Sequence, residues 1–179
     1  EIDPSFPIWY EELNKSKDIQ MFDFNDLQDQ IKIQTLIKES DACLLGIPEK
    51  IQLKLGIDKE FKKSLSKPFV FISTRAQKEN DEALHDLNAM AQIGLIDLFL
   101  AQKNEKRVDP PFLPLAGIIF GQQIATELLA CYIQSERQGI IVENSVFLKQ
   151  AAERVLTPFW SQKLRETEQT KFLPNGLYP

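Results

Sequence analysis

A chain of 179 residues, 43% apolar and 26% charged, has ordinary globular composition. At that length it can bury about 70% of its unfolded surface and needs no metal or disulfide framework to hold a core. Its net charge of −5 makes it a poor electrostatic partner for phosphate backbones or anionic lipid.

The amino end is rich in proline and aromatic residues (Pro4, Phe6, Pro7, Ile8, Trp9, Tyr10). Ser5 before Pro7 is a helix start, and the pattern predicts a short helix to about Asn14. Asn25 is a candidate cap for a helix continuing to about Leu45, stopped by Gly46. The stretch 47–57 fits both strand alternation and helical spacing. Pro48 at a helix start and Leu55-Gly56-Ile57 at a helix end favour helix. Asp58 then caps a short helix through Leu65.

Phe69-Val70-Phe71-Ile72 is the best strand candidate, being short, aromatic and β-branched. A long helix is expected over about 80–102, with Leu84, Leu87, Ala91, Leu95 and Leu98 as its core stripe. The charged stretch 104–111, ending Asp109-Pro110-Pro111, is the one composition break that could divide a single domain into subdomains. A second long helix is expected over about 115–138, with Gly139 as its stop. Ile140-Ile141-Val142 is a brief extended piece. Asn144 or Ser145 then caps a helix through Leu156, and Thr157-Pro158 restarts one to about Glu168. The expected architecture is mainly α, a compact multi-helix domain around two long central helices. A small strand pair near 69–73 and 140–143 would make it α+β.

The two cysteines, Cys43 and Cys131, form no C-x-x-C pair and no disulfide framework. Low cysteine usage fits a reducing compartment, so a cytoplasmic location is expected. The most apolar stretch, 112–131, contains Pro114, Gln122, Gln123, Thr126 and Glu127, and reads as a buried helix rather than a membrane span. The basic clusters, Lys59 with Lys62 and Lys63 and the run Lys103 to Arg107, lack interleaved aromatics, so nucleic-acid binding is not expected.

No phosphate loop, dinucleotide fingerprint, zinc-protease, nucleophile-elbow or EF-hand motif is present. With one histidine and two distant cysteines, no metal or cofactor site is expected. His85 lies on a polar stripe with Asp81, Asn88 and Gln92, the pattern of a solvated face. It stands about 18 Å along a helix axis from Asp97, too far for a catalytic dyad. Asp97 sits in the apolar run 93–100 and is the candidate buried carboxylate. Glu127 shares a narrow polar stripe with Gln123 and Gln134 and reads as hydrated.

Gly117, Gly121 and Ala125 form a small-residue ridge that lets another helix approach closely. Together with Phe120, Met90, Ile93 and Leu100 they make the candidate partner-binding surface. The leading expectation is therefore a non-enzymatic interaction protein. It would be an adaptor or chaperone-like subunit of a larger assembly, such as a bacterial secretion system, offering an apolar helical surface to another protein. The alternatives are a small enzyme working through a carboxylate, Asp97 first, and a binder of an apolar small ligand held between the two long helices.

Overall fold

The computed structural model describes residues 7–78, 83–96 and 114–154, with side chains from residue 10 onward. Three strands, β1 (Ala42–Leu45), β2 (Phe69–Arg75) and β3 (Ile141–Phe147), form a parallel sheet in the order β1-β2-β3. Six helices accompany them: α1 (Pro7–Asn14), α2 (Leu27–Glu39), α3 (Glu49–Lys54), α4 (Lys59–Lys63), α5 (Asp86–Gln92) and α6 (Leu115–Gln138). Residues 148–154 are also helical.

The mainly α expectation is corrected: the fold is α/β. Parallel strands need helical crossovers, and those helices cover both faces of the sheet. On one face Phe69 and Phe71 pack with Ile37 of α2, Leu45 of β1, and Leu55 and Ile57 around α3. On the other, Val70 and Ile72 pack with Val146 of β3 and Cys131 of α6. β2 is buried on both sides, so its first four residues are all apolar and do not alternate.

The sequence placed α6 to the residue, and Gly139 ends it with φ 66°, a conformation that favours glycine. Pro48, Asp58 and the short α3 and α4 also stand where expected, although α4 stops at Lys63. Three boundaries move. Asp26, not Asn25, caps α2, and that helix ends at Glu39. The residues expected to extend it, Ala42–Leu45, form β1, because β2 offers them a hydrogen-bonding edge. The helix expected over 80–102 is interrupted in its described part: α5 has His85 at its amino cap, the chain breaks at Gly94, φ 79°, and residues 95–96 are helical again. The helix expected to start at Asn144 starts after Phe147 instead, because both residues lie in β3. The possible break at 104–111, the helix after Thr157, Asp97 and Leu100 lie outside the described residues.

Both cysteines are free. α6 is long and apolar enough to cross a membrane by length and composition. Here it lies along the sheet, and Ser135 near its carboxyl end donates to the backbone oxygens of Ile140 at 2.6 Å and Phe69 at 3.3 Å.

Replacing Ile72, which has no exposed surface, with alanine is expected to cost about 2–5 kcal/mol. Leu129→Ala, on the open face of α6, is expected to change stability by less than about 0.5 kcal/mol. Urea midpoints of the two variants check this. Equal losses would remove β2 from the centre of the core.

Candidate functional site

Open parallel sheets bind their ligands beyond the carboxyl ends of the strands. Two features of this chain meet that edge, one from each face of the sheet.

The first is a cavity of about 510 Å³ on the Phe71 face. Ser73 and Arg75 of β2 and Glu143 and Ser145 of β3 contribute to it, with Lys59 and Lys62 of α4 and Glu49 of α3 opposite. Two ion pairs lie within its lining. Lys62 Nζ lies 2.6 Å from Glu143 Oε2 and 5.1 Å from the centre of the Phe71 ring. Arg75 stands 3.6 Å from Glu49. The Lys62–Glu143 pair ties α4 to the sheet edge across 81 residues of chain.

The second feature is a carboxylate. Ser135 anchors the carboxyl end of α6 at the start of β2, so α6 runs back against the strands and its amino end reaches their carboxyl end. There the backbone N–H of Gly117, in the first turn of α6, donates to Asp86 Oδ1 at 2.6 Å. Asp86 is itself the first residue of α5 and is half-buried. Amide groups at a helix amino end point outward and suit an anion. Here they fix one carboxylate oxygen from an element 31 residues away. Among the described residues no partner meets Oδ2. A Cβ at position 117 would sit 3.4 Å from Oδ1, so glycine leaves the carboxylate its place.

Below Asp86 the α5–α6 seam is filled. Ala89, Met90 and Ile93 pack with Ala116, Leu148 and Ala152, and Phe120 lies against them. Met90 and Ile93 are therefore core residues and offer no surface to a partner. Gly121 and Ala125 lie on the exposed side of α6, and nothing stands within 4 Å of a Cβ built at Gly121. The ridge expected to cross a helix closely thus splits: Gly117 faces Asp86, and the other two face outward.

Glu127 is not simply hydrated. It accepts from Gln123 at 2.7 Å and from Asn144 at 3.0 Å, and stands 3.7 Å from Arg154. It locks α6 to β3. His85 is exposed and caps α5 without a side-chain hydrogen bond. Asp86 was not among the sequence candidates. Its local signal is only that of a first-turn acid, and the Gly117 contact depends on how α5 meets α6.

No protein-family profile matches the chain, and no curated protein is significantly similar to it in sequence. Solved structures are similar in fold. A CaiB/BaiF family protein from Brucella suis superposes with a TM-score of 0.72 at 18% identity, over 84% of this chain and 40% of its own. Rv3272 from Mycobacterium tuberculosis gives 0.71 at 18% identity, over 87% and 44%. An aspartate-to-alanine mutant of Rv3272 gives 0.71, over 87% and 43%. The chain thus spans less than half the length of these neighbours. At this identity the likeness shows the fold alone, the fold of the CaiB/BaiF family protein. It overturns the expectation of a non-enzymatic adaptor or chaperone-like subunit.

The half-buried Cys43 is a poor nucleophile. Burial pushes its thiol up to about 11, against the opposing pull of Lys62. Its alkylation by iodoacetamide at pH 8 is expected to be about 100-fold slower than that of an ordinary thiol, rising with pH until about 11. Mass-spectrometric rates across pH 7–11 test this, and a rate levelling off near 9 would contradict it. The same shift means that Cys43 supports the folded state below pH 9 and ceases to as pH rises through about 11.

Proposed function

We propose that this chain is the carboxylate-bearing part of a CoA-transferase-like enzyme, with Asp86 as its reactive group. The observation that carries the reading is the Gly117 N–H bond to Asp86 Oδ1 at the carboxyl end of the sheet. It holds one oxygen in place and leaves the other open, the arrangement a nucleophilic carboxylate needs. The CoA-transferase-like fold of the neighbours supports it. The Rv3272 structure with an aspartate changed to alanine makes an aspartate the natural group to test.

The chemistry follows from the group. Oδ2 attacks the carbonyl carbon of an acyl thioester, the C–S bond breaks, and the thiolate leaves. The product is an acyl anhydride on Asp86, which a second thiol or carboxylate can then open. Gly117 N–H keeps the carboxylate turned toward the thioester throughout. The cavity beside Ser73 and Arg75 lies at the same end of the sheet, on its other face.

Incubation of the chain with an acyl-CoA should give an intact-mass adduct that hydroxylamine converts to a hydroxamate at Asp86. Asp86→Asn should reduce adduct formation by roughly 10³-fold or more, as loss of a nucleophile does, with an unchanged urea midpoint. An adduct that persists in a folded Asp86→Asn variant would show that another residue is the nucleophile.

A further inference from the structure

We infer that the cavity on the Phe71 face is a binding site for a neutral polyhydroxylated molecule, a sugar or a polyol. The inference concerns the other face of the sheet and does not rest on the reading of Asp86. The first observation is a fixed acceptor. Gln52 of α3 lines the cavity and is only 6% exposed. Its Nε2 donates to the Ile47 backbone oxygen at 2.9 Å, which sets the way the amide points. Oε1 then has no donor among the described residues. A buried amide oxygen without a donor costs free energy, and the cavity is where a donor can reach it. Ser73 and Ser145 are partners in the β2–β3 register and line the same cavity. Among the described residues nothing bonds either hydroxyl. An acceptor and two hydroxyls on one wall match O–H groups, which both donate and accept.

The second observation is charge. Lys62 pairs with Glu143 at 2.6 Å, Arg75 with Glu49 at 3.6 Å, and Glu60 with Lys63 at 3.1 Å. Of the charged lining only Asp58 and Lys59 remain, one of each sign. The lining is therefore balanced. An anion would gain Lys59 alone and would meet the carboxylates that hold Lys62 and Arg75. A neutral ligand leaves the pairs intact. It can donate to Glu143 Oε1, which has no donor among the described residues. Leu53, 58% exposed in the lining, offers apolar surface to the C–H face of a ring. A volume of about 510 Å³ is ample for a small molecule of this kind.

The test is titration of the isotope-labelled chain, followed by amide chemical shifts, with glucose, ribose and myo-inositol, and with glucose 6-phosphate as the charged control. At least one neutral ligand should move the Gln52 side-chain amide and the Ser73 and Ser145 backbone amides, saturating in the millimolar range. Glucose 6-phosphate should bind there more weakly than glucose. Ser145→Ala and Gln52→Met should each weaken binding by about 3–10-fold, the worth of one neutral hydrogen bond. Ser145 is exposed, so its variant keeps the fold and reads the site even where Gln52→Met unfolds. Tighter binding of glucose 6-phosphate than of glucose, or shifts that map away from these three residues, would overturn the inference. So would the absence of a saturable shift with all three neutral ligands.

Discussion

Everything in this chain is built on β2. Its backbone pairs with β1 on one side and β3 on the other, and its side chains enter the cores on both faces. Phe69 and Phe71 join α2, β1 and α3 on one face, with ring centres 4.6 Å apart. Val70 and Ile72 receive α6 on the other. A strand covered on both faces is the condition for a parallel sheet, whose helices must pack above and below it. With β2 placed, the crossovers have little freedom, and elements from both faces meet at the carboxyl edge of the sheet.

α6 converts that arrangement into a site. Its carboxyl end is pinned by Ser135 to the backbone of β2 and of the residue before β3. Its middle is pinned by Glu127 to Asn144. A helix of 24 residues, about 36 Å long, held at those two points must project its amino end past the strands. The amides exposed there meet Asp86 at the start of α5. The contact combines a charged acceptor with a helix amino end, one of the stronger pairings available to a half-buried carboxylate. Gly117 makes it sterically possible. The glycine that reads in sequence as part of a packing ridge is, in the fold, the donor that orients a carboxylate.

This also changes what the apolar length of α6 means. Only one side of the helix enters the core, through Ala116, Cys131 and Ser135 together with the half-buried Phe120, Ile124 and Leu128. Ile118, Leu129, Tyr132 and Ile133 remain exposed. From sequence, an apolar helix without a catalytic motif resembles an interaction surface. In the fold, the same helix supplies the Gly117 amide that holds Asp86, the carboxylate that we propose as the reactive group.

The sequence by itself determined the local elements whose signals are local. These are α6 with its glycine stop, the short helices opened by Pro48 and capped by Asp58, and the apolar run of β2. These rest on backbone preferences and short-range hydrogen bonds, which a linear reading contains. It did not determine β1, and of β3 it indicated only the stretch 140–143 as a possible partner of 69–73. Ala42–Leu45 continues the helical spacing of Leu36 and Ile37, and Asn144 and Ser145, in the second half of β3, read as the cap of a following helix. Both become strands because β2 supplies their partners, and pairing energy belongs to two segments at once. Asp86 was hidden for the same reason. Its residue type and its position at a helix start are visible in the chain, but the amide that orients it comes from 31 residues away. Only the crossing of α5 and α6 brings the two together.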